Sequence, residues 1–508
     1  MVEQQKQRNP SVVVIGAGMT GILMSIKLQE AGIRDITILE KAPSLGGTWR
    51  ENTYPGVACD VPAHMYTYSF APNPGWARRF APGDEIMQYF QDVADRYGIT
   101  EQVRYNEAVT RCHYDDQQWH IETSQGAQLT ADFVICATGI LHHPAYPDIP
   151  GLRDFSGACF HTARWDHTVS MPGKRVGIIG TGSTASQVIP ELQNEADHLT
   201  VFQRTPQWVA PQPNPTYSAQ TRQRFRIDQR FLETVRRRQF RFFEELFSKA
   251  VIGQKIPHLL MTLVAKWNLY WHVRDRPLRR QLTPDYTVGC KRLIFSSRFY
   301  PAMQQDNVHL ETQGIERIER DGVRTRDGQL HALDVLVLST GFHPFNFMRP
   351  MDLRGRNGLS IDAAWSKKVQ AYRSVCLPGF PNFFLMLGPN TPIGNYSVIE
   401  MSEVQGRYVM QLIQAWRERQ LAAVEATDEA KQRFNDHLRA GMSKTVWVGG
   451  CNSWYLDADG DPALWPYTWE QWKREMAEPD FDDFLHETVA TEEKTAPQNP
   501  TTTEDCLA

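Results

Sequence analysis

One pattern of apolar and polar positions occurs twice along the chain. In each copy a run of four apolar residues leads into a glycine-rich loop, after which the apolar spacing becomes that of a helix. The strand, helix and second strand of the two copies are predicted at 12–15, 22–31 and 36–39, and at 176–179, 186–193 and 199–202. Strand, helix and strand in this order form βαβ units, so the pattern predicts an α/β protein with two Rossmann-like domains.

A second repeated element indicates how the domains are connected. An apolar strand ending in Thr-Gly occurs at 132–139 and again at 334–341, and each is followed by a proline-containing turn. Such turns are expected where the chain crosses between domains, so we predict one domain inserted into another. The predicted segments are 1–144 and 336–487 for the outer domain, 145–335 for the inserted domain, and 488–508 for a disordered tail rich in Thr, Glu and Pro.

The inserted domain contains a helical segment, 216–285, with an unusual density of Phe and Arg. Its apolar residues recur at helical spacing, with arginines between them. The apolar set is Phe231, Leu232, Val235, Phe242, Phe243, Leu246 and Phe247, and the arginines are Arg236, Arg237, Arg238 and Arg241. Two interpretations stay open: a helical lid over the substrate site with a solvated basic face, or a surface for transient contact with a membrane.

Composition and charge argue against several classes of protein. A net charge of -4 and a pI of about 6.4 provide no overall attraction for nucleic acid. The most apolar stretch, 256–273, is interrupted by Pro257, Lys266 and His272, so we predict no transmembrane helix. The polar N-terminus does not resemble a signal peptide, which favours a cytoplasmic protein.

The eight cysteines are scattered, without a CxxC pair or a His/Cys cluster at the spacing of metal ligands. We therefore expect free thiols in a reducing cytosol, and no bound metal. The acidic stretch 457–461 resembles a calcium loop only superficially, and we predict a solvated turn there.

Both glycine-rich loops match the fingerprint of dinucleotide-binding domains. The first glycine allows the tight turn, the second lets backbone amides approach a pyrophosphate, and the third small residue lets the helix pack on the strand. The N-terminus of the helix adds partial positive charge. The fingerprint residues are Gly16, Gly18 and Gly21 in the first copy, and Gly180, Thr181, Gly182, Ser183, Thr184 and Ala185 in the second.

The residue after each second strand predicts which nucleotide binds where. Glu40 follows the first copy, and a carboxylate there accepts hydrogen bonds from ribose hydroxyls and repels a 2′-phosphate, which favours FAD. Arg204, followed by Thr205, stands at the matching position of the second copy. A guanidinium pairs with a 2′-phosphate, which favours NADPH over NADH.

Two further motifs resemble those of a known family. Residues 155–166 match FxGxxxHxxxW followed by Pro or Asp, and residues 46–60 match GGxWxxxxYPGxxxD. Both are signatures of class I Baeyer–Villiger monooxygenases, which use FAD and NADPH. Together with the two fingerprints, the resemblance extends from about residue 11 to residue 481.

The resemblance implies roles for individual residues. Arg292 resembles the arginine held over the flavin, and Asp60 resembles the acidic partner that orients it. Lys291 resembles a lysine that assists the 2′-phosphate, whereas His161 resembles a structural residue that couples the interdomain linkers. The positions implied to contact the cofactors are Gly47, Thr48, Trp49 and Tyr66 on the flavin side, and Trp447 near the nicotinamide ribose.

The resemblance also implies a reaction, in which one atom of O2 is inserted next to a ketone carbonyl through a C4a-peroxyflavin, giving an ester or lactone. A fixed cation such as Arg292 would stabilise the negative charge of this chemistry. The aromatic content of 11% favours a small, apolar ketone as substrate. Two alternatives stay open: a flavin monooxygenase that oxygenates nitrogen or sulfur, and a flavin-binding protein that senses NADPH or consumes it without product.

Overall fold

The computed structural model describes residues 8–486, apart from 393–395 and the single residues 420, 452, 454, 458 and 462. The predicted tail at 488–508 lies outside the described residues.

The strands are β1 Ser11–Ile15, β2 Asp35–Leu39, β3 Val103–Arg104, β4 Val109–Asp115, β5 Gln118–Thr123, β6 Gln128–Ala131, β7 Phe133–Cys136, β8 Ala158–His161, β9 Arg175–Ile179, β10 His198–Phe202, β11 Val209–Ala210, β12 Ile294–Phe295, β13 Val308–Glu311, β14 Ile315–Glu319, β15 Gly322–Thr325, β16 Leu330–Ala332, β17 Val335–Leu338, β18 Asp352–Arg354 and β19 Phe383–Leu385.

The α-helices are α1 Met19–Glu30, α2 Thr48–Glu51, α3 Gly83–Arg96, α4 Ser183–Glu195, α5 Ala219–Ile227, α6 Gln229–Phe243, α7 Lys249–Val251, α8 Lys255–His272, α9 Arg276–Gln281, α10 Phe299–Ala302, α11 Ile361–Ala364, α12 Val398–Arg417, α13 Asp428–Met442 and α14 Trp469–Glu475. A π-helical turn, Glu244–Ser248, joins α6 to α7.

The first sheet is parallel, in the order β19-β7-β1-β2-β3. Its strands are covered on both faces, which is why they are continuous apolar runs rather than alternating ones. Val12 and Val14 of β1 belong to the core beneath the helices, whereas Val13 and Ile15 face a core shared with the antiparallel sheet β18-β4-β5-β6. Strands from both flanking parts of the chain therefore complete one sheet.

The second sheet is also parallel, in the order β13-β10-β9-β17-β8. The antiparallel sheet β14-β15-β16 covers one of its faces. The four strands predicted for the two βαβ units are confirmed to within one residue at each end. Strand β17 extends past the predicted domain boundary at 335, so the inserted sheet continues three residues further than the turn signals indicated.

The helical segment predicted at 216–285 forms helices α5 to α9. On α8 the buried side is narrow and consists of Met261, Ala265, Asn268 and Leu269. Asn268 donates a hydrogen bond from Nδ2 to the carbonyl oxygen of Val209 at 2.9 Å, which fixes α8 on β11. Among the residues the structure describes, no helix has the length and apolarity needed to cross a membrane.

Candidate functional site

The first glycine-rich loop joins β1 to α1 and can be built only from glycine at two positions. Gly16 has a φ of +100°, which L side chains rarely adopt, and a Cβ on Gly21 would lie 1.8 Å from the carbonyl oxygen of Gly16. Gly18 is the N-cap of α1, and no side chain there bonds the first turn. The amides of that turn are therefore open to a ligand, and a pyrophosphate fits them.

Glu40 lies buried directly after β2, with its carboxylate held beside this loop. It accepts hydrogen bonds from the backbone N–H of Ala17 at 2.8 Å and of Ala42 at 3.0 Å. The guanidinium of Arg50 lies 3.3 Å from the same carboxylate. A fixed negative group at this place suits a ribose and repels an additional phosphate, as FAD requires.

The segment that follows Gly46 approaches the first loop closely. A Cβ on Gly47 would lie 3.0 Å from the Cα of Gly18, so the two backbones are in contact. Helix α2 begins at Thr48 and carries Trp49, whose indole Nε1 donates a hydrogen bond to the hydroxyl of Tyr66 at 3.1 Å. The two rings meet edge to face with centroids 5.5 Å apart. The predicted flavin contacts thus lie together beside the first loop.

The second glycine-rich loop repeats this geometry between β9 and α4. Gly180 has a φ of +109°, and a Cβ there would lie 2.3 Å from the carbonyl oxygen of Ser339. Gly182, the N-cap of α4, has open space in front of it, without a side-chain cap. The Thr181 hydroxyl donates to the carbonyl oxygen of Thr205 at 3.1 Å, which ties the loop to the segment after β10. The rest of the fingerprint starts α4: Ser183, Thr184 and Ala185.

Two cations converge near the second loop. Burial lowers the pKa of Lys291, and the charge of Arg204 lowers it further, so the two side chains lie within electrostatic reach. The Lys291 ammonium also lies 5.0 Å from the centroid of the Tyr286 ring. Arg204 and Lys291 are 87 positions apart in sequence, and the fold places both where a 2′-phosphate is predicted.

Arg292 forms an ion pair with Asp60, with Nη2 2.6 Å from Oδ2. The Asp60 carboxylate raises the pKa of Arg292 above its ordinary value, although burial acts in the opposite direction. Arg292 also donates a hydrogen bond to the hydroxyl of Tyr455. The side chains of Arg292 and Asp60 stay 29% and 23% exposed, so this ion pair borders open space.

That space is a cavity that is partly open to solvent. Apolar side chains form more than half of its lining, and the ion pair lies among the polar ones. The polar residues are Asp60, Lys291, Arg292, Tyr396 and Tyr455, and the apolar side chains are Val61, Phe243, Phe247, Val251, Met261, Leu293 and Phe295. Phe243 and Phe247 come from the helical segment, which therefore forms part of the cavity wall, as the lid interpretation requires.

Known proteins resemble the chain over most of its length. A family model described as pyridine nucleotide-disulphide oxidoreductase matches residues 13–245. An uncharacterised monooxygenase of Mycobacterium tuberculosis is 45% identical over 460 residues, which cover 91% of this chain and 92% of that protein. A Baeyer–Villiger monooxygenase of Streptomyces coelicolor is 39% identical over 491 residues, covering 95% and 93%. The chain belongs to the Baeyer–Villiger monooxygenase family.

A solved structure supports the same assignment. The crystal structure of OTEMO in complex with FAD and NADP superimposes with a TM-score of 0.83 at 28% identity, covering 93% of this chain and 98% of that one. The predicted α/β fold with FAD and NADP Rossmann domains is confirmed, and so are both cofactors. This member of the Baeyer–Villiger monooxygenase family is an FAD- and NADPH-dependent oxidoreductase.

Tyr455 is a site residue that the sequence analysis missed in this family member. It lies between Ser453 and the turn at 457–461, in a stretch without helical or strand periodicity. Only the fold brings its hydroxyl to Arg292, 163 positions earlier. At 457–461 the Oδ1 of Asp457 accepts hydrogen bonds from the backbone N–H of Asp459 and Asp461. The predicted solvated turn is solvated only in part, because the Asp457 carboxylate is 16% exposed and lies 3.0 Å from the Lys368 ammonium.

The expectation of free thiols is wrong for two cysteines. Cys290 and Cys451 form a disulfide across a sequence separation of 161 residues. No spacing rule could indicate this pair, because sheet pairing and helix packing bring the two segments together. The disulfide lies beside both Lys291 and Trp447. Cys290 directly precedes Lys291 in sequence, and the Sγ of Cys290 is 3.8 Å from the carbonyl oxygen of Trp447.

Trp447 is fully buried, and its ring lies 6.1 Å from that of Tyr455. Its indole Nε1 has no hydrogen-bond partner within the described part of the chain. Trp76 and Trp472 also carry buried indole donors without a partner in this part of the chain, and Trp447 does not belong to the lining of the cavity. Its assignment to the nicotinamide ribose in this family member stays a prediction.

His161 is buried at the end of β8, between the two segments that are predicted to cross from one domain to the other. The centroid of its ring lies 5.6 Å from that of Tyr146 and 5.8 Å from that of Phe342. Its Nδ1 accepts a hydrogen bond from the backbone N–H of Ala163. Burial lowers its pKa to about 4, so the ring is neutral at pH 7. This position fits the predicted structural role in the family.

Three potential metal ligands, His309, Glu311 and His331, meet away from the cavity, with their ligand atoms within 4.8 Å of one another. No spacing in the sequence indicates this cluster, because strands β13 and β16 bring it together. The Nε2 of His331 lies 3.2 Å from the Oε2 of Glu311, a hydrogen-bond distance that accounts for the arrangement without an ion.

Proposed function

We propose that this chain converts apolar ketones to esters or lactones with NADPH and O2, and that Arg292 is the fixed cation of the oxygen transfer. The observation that carries the proposal is the ion pair of Arg292 with Asp60 at the wall of a cavity whose lining is more apolar than polar. An apolar wall suits the carbon skeleton of a ketone, and the guanidinium of Arg292 orients its carbonyl.

Arg292 suits this role because its charge does not titrate at working pH. Attack on a carbonyl carbon places negative charge on the carbonyl oxygen, and a guanidinium fixed nearby stabilises that charge. Asp60 and Tyr455 hold the guanidinium in place, so little reorganisation is needed during the reaction. FAD, when bound and reduced by NADPH, supplies the activated oxygen.

Other residues of the site bind the two cofactors in this proposal. We propose that Arg204 and Lys291 hold the 2′-phosphate of NADPH, with Thr205 closing the loop against Thr181. On the flavin side, Glu40 binds the ribose, and the pair Trp49 and Tyr66 lies against the flavin. Both nucleotides then occupy the uncapped N-termini of α1 and α4.

These roles follow the proposed division into an outer FAD domain, 1–144 and 336–487, and an inserted NADP domain, 145–335. The two separate parallel sheets support this division. We also propose a cytoplasmic location, because the NADPH that the enzyme consumes is regenerated in that compartment.

The test separates reduction of the flavin from transfer of oxygen. In Arg292→Ala, the rate of ester or lactone formation under air should fall about 10²- to 10³-fold. This is the usual effect of losing one hydrogen-bond donor to a developing oxyanion. Anaerobic reduction of the bound flavin by NADPH, followed by its absorbance, should stay within about threefold, because hydride transfer does not use this charge. Arg298→Ala, which removes a surface arginine paired with Glu191, is the matched control and should leave both rates unchanged.

The substrate panel contains linear, cyclic and aryl ketones together with thioethers and amines, and product mass is measured for each NADPH consumed. Esters and lactones support the proposal. Oxygenation of the thioethers and amines alone would refute it, and so would NADPH consumption without any oxygenated product. Unchanged ester formation in Arg292→Ala would refute the role of that residue.

A further inference from the structure

Helix α8 carries an apolar face that no other part of the described chain covers. Eight large apolar side chains of this one helix are between 40% and 74% exposed, and they recur every three or four positions. They are Ile256, Leu259, Leu260, Leu263, Val264, Trp267, Tyr270 and Trp271, and we call them the α8 apolar face. Folding normally buries such a stripe, so its exposure marks an interaction surface.

The other side of α8 contacts the cavity described above. Met261 lies on the buried side of the helix and lines the cavity together with Val251 of α7. A Cβ on Gly289 would lie 2.9 Å from the terminal methyl of Met261, so the helix contacts the segment that leads to Arg292. Only the thickness of one helix separates the α8 apolar face from the cavity.

Charge indicates which partner fits this face. The segment 216–285 contains fifteen Lys and Arg and six Asp and Glu, a net charge of +9, although the whole chain has −4. Basic residues follow the end of α8 directly, and Arg274, Arg276 and Arg280 among them are exposed. Lys255 and Lys266 are exposed at the start and within the helix. The α8 apolar face therefore has exposed basic residues at both ends of the helix and within it, on a chain of net negative charge.

We propose that the α8 apolar face docks on a lipid surface that contains anionic phospholipids. An amphipathic helix with a basic surround lies in the interface, with apolar side chains among the acyl chains and basic ones at the headgroups. The proposal rests on the proposed function, because docking would place the cavity beside the membrane in which apolar ketones concentrate.

The aromatic residues of α8 support a lipid partner. Trp267 and Trp271 stack with centroids 5.8 Å apart, and Tyr270 lies beside them. Trp and Tyr are the residues enriched at membrane–water interfaces, where an apolar ring and a polar atom meet two environments. The guanidinium of Arg279 lies 4.9 Å from the Tyr270 ring, close enough to reach the same headgroups.

A second copy of the chain fits this face less well. In a symmetric dimer the same surface of each copy meets its counterpart, so the exposed basic residues on and next to α8 of both copies would approach one another. Their repulsion opposes such a dimer, whereas an anionic lipid surface removes it.

The experiment is sedimentation of the FAD-loaded full-length enzyme with vesicles of phosphatidylcholine alone or of phosphatidylcholine mixed with phosphatidylglycerol. The expected result is at least tenfold stronger binding to the mixed vesicles, weakened by added salt. The double variant Leu263→Asp with Trp267→Asp should lose this binding. Its matched control, Leu330→Asp with Leu359→Asp, changes two exposed leucines elsewhere on the surface and should retain it.

A second variant, Arg276→Glu with Arg280→Glu, tests the charge and should lose the preference for phosphatidylglycerol. Equal sedimentation with and without vesicles would overturn the proposal. A concentration-dependent dimer that the Leu263 and Trp267 substitutions abolish would overturn it in favour of a second copy. Turnover of a water-soluble ketone without vesicles tests the proposed function separately, and the surface variants should retain it.

Discussion

The substitution Asp60→Asn tests whether Asp60 positions the guanidinium of Arg292. In Asp60→Asn the side chain keeps its shape, but the charge that fixes the Arg292 guanidinium at 2.6 Å is lost. We expect oxygen transfer to fall roughly ten- to a hundredfold, by analogy with the range found when the hydrogen-bond partner of a metal ligand is removed. Anaerobic flavin reduction should change little. Glu191→Gln, at the surface pair with Arg298, is the control; equal losses in both variants would contradict the role of Asp60.

Arg204 tests the choice between NADPH and NADH. A charge-assisted hydrogen bond contributes about 1.5–3 kcal/mol, so Arg204→Ala should raise the KM for NADPH by roughly ten- to a hundredfold. The KM for NADH should stay nearly unchanged, because that nucleotide lacks the 2′-phosphate. Steady-state kinetics with both nucleotides measure the ratio. A similar rise for NADH would show that Arg204 supports the loop rather than the phosphate.

Single residues differ in how far the sequence predicts them. Glu40 and Arg204 could be assigned because each stands at a fixed distance from a local motif. Tyr455 and the disulfide of Cys290 with Cys451 could not, because their partners come from distant segments and no periodicity marks them. Local sequence thus predicts the groups of the nucleotide loops, whereas part of the Arg292 environment depends on long-range packing.

Among the elements, the two loop-and-helix units permit a paired test. Gly21→Ala places a Cβ 1.8 Å from the Gly16 carbonyl oxygen and should displace α1 from β1. We expect this variant to be purified with little FAD, measured by absorbance and protein concentration. Gly182→Ala has open space for its Cβ and should retain FAD, but its methyl would stand where the NADP pyrophosphate approaches. Loss of FAD from both variants would contradict separate sites.

The sequence predicts an element closely where one pattern of apolar residues continues along the whole element. Strands β1 and β9 are buried on both faces, and the first glycine of a fingerprint directly follows each of them. Each strand therefore begins and ends within one residue of its prediction. The helical segment at 216–285 was predicted as a whole, but its division by the π-helical turn Glu244–Ser248 was not. That turn places Phe247 on the cavity wall, a position that a regular helical period does not indicate.

For the whole molecule, the disulfide is expected to contribute to stability. It links Cys290 beside the site to Cys451 across 161 residues, and closing a long loop restricts the unfolded chain. Cys451→Ser should lower the free energy of unfolding in urea by about 2–5 kcal/mol under oxidising conditions. Cys159→Ser, at an exposed free thiol, should leave it nearly unchanged. A full complement of eight titratable thiols in the denatured enzyme would contradict this bond.

The pH dependence of stability combines buried groups from several parts of the molecule. Burial lowers the pKa of His64, His142 and His161 to about 4 in each case. Between pH 6.5 and pH 4 the unfolded chain takes up protons at these histidines that the folded chain does not bind, so stability falls as the pH is lowered. Above pH 6.5 they are neutral in both states and contribute no pH dependence.

Glu400 acts in the opposite direction, which provides a decisive test. Burial raises its pKa to about 7, so the folded chain keeps a proton between pH 4.5 and 7 that the unfolded chain releases. Its contribution to stability is therefore full below pH 4.5 and lost as the pH rises through 7. This pH dependence is opposite in sign to that of a buried histidine, so it offsets the contribution of one of the three. Glu400→Gln removes this offset. Near pH 5.5, unfolding of the FAD-saturated variant should take up about one proton more than unfolding of the unmodified enzyme, seen as a steeper fall of the free energy of unfolding with decreasing pH. An unchanged slope would show that Glu400 is ionised in the folded protein.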